Sequence, residues 1–159
     1  MLFGEVADAV VQSDVEPASP LLRQLLSYWR AARPDPAAPP PRSAIHPEDI
    51  VPVLPYLYMV DVLPGPAYRF RLVGTRGVEF YDHDPTGKRL DEVIEARFLP
   101  DVYRLYAAVI RGGEPVRTTG RMYWSAHNEW VRFEALHMPL AGASGRVDIV
   151  MGGFVPANL

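Results

Sequence analysis

The chain has 159 residues, 48% of them hydrophobic, with a formal charge of −3 and no cysteine. That length suits one domain whose core needs neither metal nor disulfide, and the missing thiols exclude disulfides, thiolate ligands and cysteine nucleophiles. Mild acidity gives nucleic acid no electrostatic invitation, and no apolar run nears the roughly 20 residues that span a bilayer.

Residues 1–18 carry weak patterning and are expected to form an N-terminal arm, mobile or loosely docked. Their opening, MLFGEVADAVVQSDVEP, has no basic region before an apolar stretch and does not read as a signal peptide, so a cytoplasmic protein is expected. Lysine occurs once, at Lys88, against abundant arginine, alanine and proline, a bias expected of a GC-rich bacterial genome.

Ser19-Pro20 reads as an N-cap followed by proline at the first helical position. Leu22, Leu25, Leu26 and Trp29 then recur at helical spacing, which predicts an amphipathic helix within 19–33. Its apolar stripe must be buried, either on its own domain or against a second copy, so these four residues are the candidate dimer or partner surface. PDPAAPPPR makes 34–44 a proline-rich linker.

The main domain is expected over 45–156. Pro47-Glu48-Asp49 opens a short helix, and strands are predicted at 56–63 and 68–73 around the turn LPGP. In the second strand Tyr68, Phe70 and Leu72 are expected to share one face, with Arg69 and Arg71 on the other. Short helical pieces follow at 75–81 and 89–94, then a longer helix over 97–111 closed by Gly112-Gly113. Strands at 115–124, 129–139 and 146–154 form a meander. A hairpin, a helical middle and a meander make an α+β domain with one antiparallel sheet and helices on one face.

The matching stretches are Leu25-xx-Tyr28-Trp29, Pro41-Arg42 leading into HPEDIVPVLPYLYMVDV, then YRFRLVGT, DPTGKRLDE, GGEPV, FEALHMPL and VDIVMGGF, in that order. Together they resemble a PAS domain, and in particular the small stand-alone PAS-type family of alphaproteobacteria, over residues 20–155. The resemblance implies a five-stranded antiparallel sheet of spatial order 2-1-5-4-3, preceded here by the amphipathic helix.

Asp82-His83-Asp84, ahead of Pro85-Thr86-Gly87, looks at first like a metal or proton-transfer cluster. Adjacent side chains converge poorly on one ion, whereas aspartate, proline and glycine are turn formers, so the stretch reads as punctuation with Gly74 and Gly87 as turning positions. The family's cysteine-adduct flavin chemistry has no sulfur here, and haem hung from the long helix has no histidine over 97–111, so no cofactor is predicted. His83 and His137 read as satisfied or surface polar groups. Ser125, His127 and Glu129 fall at a hairpin tip, no phosphate loop or zinc spacing occurs, and RGVEFY is only a fragment of an RNA-binding strand motif.

What remains is a pocket between sheet and helices. Strand and helix phase nominate Met59, Leu72, Tyr81, Phe98, Val102, Tyr106, Met122, Trp124, Phe133 and Ile149 as its lining. Glu134 is the carboxylate expected to turn inward, toward an arginine such as Arg71 or a polar ligand. The expected function is a sensory or regulatory module in signal transduction. It would bind a small ligand or a protein partner, signal in trans, and catalyse nothing itself, with homodimerisation as a secondary expectation. Two alternatives stand beside it: an enzyme or carrier with a cone-like α+β fold, and an interaction module with a filled core.

Overall fold

The computed structural model describes residues 6–81, 83–124 and 127–159. Its elements are β1 (Val6–Val11), α1 (Pro20–Ala31), β2 (Leu57–Leu63), β3 (Ala67–Val73), α2 (Thr75–Tyr81), α3 (Leu90–Val93), α4 (Leu99–Gly112), β4 (Val116–Trp124), β5 (Glu129–Ala141) and β6 (Val147–Pro156). Short 3-10 turns fill most of 42–56.

All strands pair antiparallel in one sheet of order β1-β4-β5-β6-β2-β3. Without β1 this is the expected five-stranded order. The sixth strand corrects the expectation for the N-terminal arm, because residues 6–11 pair along the edge of β4. Gln12 continues the attachment, its amide donating to the Arg117 carbonyl at 2.8 Å and its side chain to Thr119 Oγ1 at 2.7 Å. The strand escapes a pattern search because its register shifts between Ala7 and Val10, Asp8 takes φ 55°, and Asp8–Val11 are exposed.

Helix α1 lies on the sheet face opposite α2–α4, so the sheet is covered on both sides. Its Leu22, Leu25, Leu26 and Trp29 are fully buried with Leu57, Leu136, Met138, Met151 and Val155. The Trp29 indole donates to the Pro139 carbonyl at 2.9 Å, and Arg33 stacks over its ring while pairing with Glu114 at 2.6 Å. The stripe thus packs on its own domain, where all four side chains are buried. The proline-rich linker brings α1 back to the sheet edge, where the Ala141 amide donates to the Pro40 carbonyl at 2.9 Å.

Ser19 is extended and Pro20 opens the helix as expected, but the Ser19 hydroxyl caps nothing. Glu134 instead holds the chain just ahead of the helix. Its carboxylate accepts the amides of Ala18 and Ser19, both at 2.8 Å, and the Arg117 Nε–H at 2.7 Å. Arg71, the expected partner, pairs instead with Asp61 at 3.1 Å.

A bulge in β3 overturns the face assignment there. Met59 pairs with Leu72 while Val60 pairs with Phe70, leaving Arg71 as the extra residue. Tyr68 and Phe70 therefore face the helical lid, and Leu72 turns to the other side, where it is 37% exposed.

The turn after α2 keeps its structural role. Asp84 accepts the Thr86 amide at 3.0 Å and its hydroxyl at 2.6 Å, and those bonds hold its carboxyl below the usual range. Gly87 sits at φ +87°, as a turning glycine should. Gly74 does not; it is required because a Cβ there would collide with the Leu54 and Pro55 carbonyls. Asp82 lies outside the described residues, among which no group of three metal-ligating side chains occurs. RGVEFY forms part of helix α2 rather than a strand. Helix α4 ends as expected, with Gly113 at φ 65° and its amide bonded to the Val109 carbonyl.

Candidate functional site

Between the lid face of the sheet and helices α2 and α4 lies a cavity of about 920 Å³, with β1 along one side. Its walls are mainly apolar and include Phe70, Ile94, Phe98, Val102, Leu105, Phe133 and Phe154. A row of four hydrogen-bonding side chains interrupts that lining, Tyr58 from β2, Tyr106 from α4, Thr118 from β4 and His137 from β5, and the buried Tyr81 phenol from α2 lies in the same wall.

The strand register explains how these groups meet. Tyr58, Gly152 and His137 stand in one row across β2, β6 and β5. A Cβ at position 152 would collide with the Tyr58 ring and the Leu136 carbonyl, so the bare glycine lets the tyrosine lie across β6. Its hydroxyl thereby bonds Nδ1 of His137, while Nε2 of the same ring bonds Thr118 Oγ1 at 2.9 Å. The Tyr106 hydroxyl stands beside that of Tyr58.

Burial sets the protonation of this group. It pushes the His137 imidazole down to about 3 and leaves the ring neutral. Burial likewise pushes the phenols of Tyr58, Tyr81 and Tyr106 up, with neighbouring phenols adding to the shift for Tyr58 and Tyr81. The polar floor is thus uncharged, and both His137 ring nitrogens already hold hydrogen bonds.

Tyr81, Phe98, Val102, Tyr106 and Phe133 line the cavity. The other nominated residues do not, and each has a physical reason. Met59 and Ile149 pack in the core beneath α1, on the far face. Leu72 is turned there by the bulge. Met122 and Trp124 are buried behind Phe80 and Phe133, which line the cavity in their place. Glu134, also on the far face, holds the Ala18 and Ser19 amides at the approach to α1. Glu134 and His137 thus look away from one another across β5. His127 and Glu129 are exposed beside the hairpin tip, and Ser125 lies outside the described residues.

Tyr58 and Thr118 were not apparent from the sequence, and His137 read as an ordinary satisfied polar group. One signal was available: two consecutive glycines inside the predicted last strand, where glycine marks a close approach.

An antiparallel sheet with helices laid across one face above a cavity is the α+β architecture of a sensory-domain fold. The PAS domain family model matches residues 17–155, and the chain belongs to that family. No curated protein matches it. Solved structures share the fold at low identity. A light-oxygen-voltage domain studied with a flavin analogue is 11% identical at TM-score 0.50, over 69% of this chain and 82% of that one. The Drosophila melanogaster Cycle PAS-B domain with bound ethylene glycol is 10% identical at TM-score 0.47, over 63% and 97%. An RNA-binding light-oxygen-voltage receptor is 16% identical at TM-score 0.47, and the match takes in 93% of this chain but 37% of that receptor. Among the described residues, no helix is long and apolar enough to cross a membrane.

Proposed function

We propose that this PAS domain is a sensory module that binds a small molecule in the cavity over the lid face of its sheet and passes the occupied state to a second protein. The observation that carries this reading is the cavity of about 920 Å³, whose apolar walls surround a few convergent polar groups. The site supports recognition rather than bond-making: its histidine is neutral and held on both ring nitrogens, and the two carboxylates of its lining, Asp8 and Asp101, are exposed and paired with Arg121 and Arg104.

The route outward is proposed to be a population shift. Gly152 and Gly153 face opposite sides of β6. Tyr58 packs over Gly152 on the cavity side, and Leu22 and Leu25 of α1 pack on Gly153 on the other. Movement of Tyr58 with ligand would therefore bear on the seat of α1, whose exposed surface a signalling partner in trans would read. Homodimerisation through the Leu22–Trp29 stripe would require α1 to leave the sheet first.

Native mass spectrometry of freshly purified protein tests the reading. A non-covalent mass surplus is expected, and it should vanish when Val102→Trp fills the cavity. A bare polypeptide mass, together with no compound raising the melting temperature in a broad screen, would overturn it.

A further inference from the structure

We infer that the cavity selects an uncharged, largely apolar molecule carrying a hydrogen-bond acceptor, such as an aryl ketone, which it reads with a spare hydroxyl donor in its wall. This rests on the ligand-binding role proposed above and adds the chemistry of the ligand.

The spare donor follows from counting protons along the floor. A neutral imidazole has one N–H and one bare nitrogen, so its two hydrogen bonds must run in the same sense. If Tyr58 donates to Nδ1 of His137, then Nε2–H donates to Thr118, and the Thr118 proton is left over. If Thr118 donates to Nε2, then Nδ1–H donates to Tyr58, whose own proton passes toward Tyr106 and leaves the Tyr106 proton over. Within the row four donors share at most three links, so one is left over, and the buried Tyr81 phenol in the same wall adds a further donor. Either end of the row lines the cavity, and both Thr118 and Tyr106 are 6% exposed. A buried donor without an acceptor is costly, and a ligand acceptor removes that cost.

Charge is excluded from the same place. No ionised group faces the floor: His137 is neutral and the tyrosines keep their protons. Arg97 and Arg104 at the rim are paired with Glu95 and Asp101. A carboxylate or ammonium buried against this floor would lose its hydration and meet no counter-charge.

Three probes of similar shape test the inference on the full chain: benzophenone, diphenylmethane and diphenylacetate. They share two rings and differ in carrying a carbonyl, no polar group or an anion. Titration calorimetry should find benzophenone about tenfold tighter than diphenylmethane, with diphenylacetate weakest. Equal affinity for benzophenone and diphenylmethane would overturn the acceptor inference while leaving ligand binding intact, and so would diphenylacetate binding tightest. Binding of none of the three would count against both. Thr118→Val combined with Tyr81→Phe and Tyr106→Phe should bring the benzophenone preference to about one while diphenylmethane still binds. A preference that survives in the triple variant would overturn the assignment of the donor. Thr118→Ser with Tyr106 intact keeps a hydroxyl at both ends and should keep the preference, which separates loss of the donor from loss of packing.

Discussion

Tyr58 bonds His137 across Gly152, and the same β6 strand turns Gly153 to the other face to receive α1. Two adjacent residues without side chains thus serve two different layers, because successive positions on a strand point to opposite faces. The polar row in the cavity and the amphipathic helix outside are separated by one thickness of backbone.

Gly152→Ala is expected to break the row. The added methyl meets the Tyr58 ring on one side and a backbone carbonyl on the other, and the carbonyl has nowhere to go. Overpacking of this kind costs about 1–3 kcal/mol, to which the lost Tyr58–His137 bond adds roughly 1 kcal/mol. Urea denaturation measures the sum, and the near-ultraviolet dichroism of the tyrosines should change with it. An alanine variant as stable as the parent would show that the row does not depend on the bare glycine.

Trp29→Ala should destabilise the whole domain rather than loosen an appendage. Its ring is fully buried and its indole holds the Pro139 carbonyl, so truncation leaves a cavity and an orphaned acceptor. Large-to-small changes of this type cost about 3–5 kcal/mol. Gly153→Ala is milder, because the nearest atom to the new methyl, at 2.6 Å, is Leu22 Cδ2, the end of a side chain that can turn. Thermal unfolding followed by helix and tyrosine signals should show one shared transition in both variants. A separate early melting of α1 would contradict its place in the core.

Much of this architecture was legible in the sequence because it rests on periodicity. The Leu22–Trp29 stripe, the helix closed at Gly113 and the final meander all repeat at helix or strand spacing over many residues. What escaped has no period. YRFRLV alternates without a break, so nothing in it announces that Arg71 bulges and turns Leu72 to the other face. Glu134 looked like a cavity carboxylate because its partners, the amides of Ala18 and Ser19, are more than a hundred residues away in sequence. Tyr58 and His137 are likewise joined only by strand order, through a register that propensity does not encode.

Glu134 should support folding chiefly above the ordinary carboxylate range of pH. Burial alone would raise its pKa, but the Ala18 and Ser19 amides and the Arg117 guanidinium outweigh burial and hold it low. A carboxylate depressed in the folded state stabilises above its unfolded value, and that contribution disappears as pH falls through the folded value. Glu134→Gln keeps the shape and removes the charge, so it should cost about 1–3 kcal/mol at neutral pH. The gap between variant and parent should narrow below pH about 4.5, the ordinary value for this group. Chemical denaturation across that range measures it, and a gap that does not change with pH would mean the carboxylate is not what anchors the approach to α1.

His137 should leave its mark at higher pH, before carboxylates begin to protonate. Its folded value of about 3 lies below its ordinary 6.5, so between the two the unfolded chain binds a proton that the folded chain refuses. Stability therefore rises with pH across that window and falls as pH drops below 6.5. The slope from one such group is about 1.4 kcal/mol per pH unit, or roughly 2–3 kcal/mol lost between pH 6.5 and 4.5. His137→Gln retains a hydrogen-bonding side chain without a titrating ring, and it should flatten that part of the curve while lowering the neutral-pH plateau. If the variant loses stability over the same interval as steeply as the parent, His137 is not held neutral in the fold, and the uncharged floor of the cavity would have to be abandoned with it.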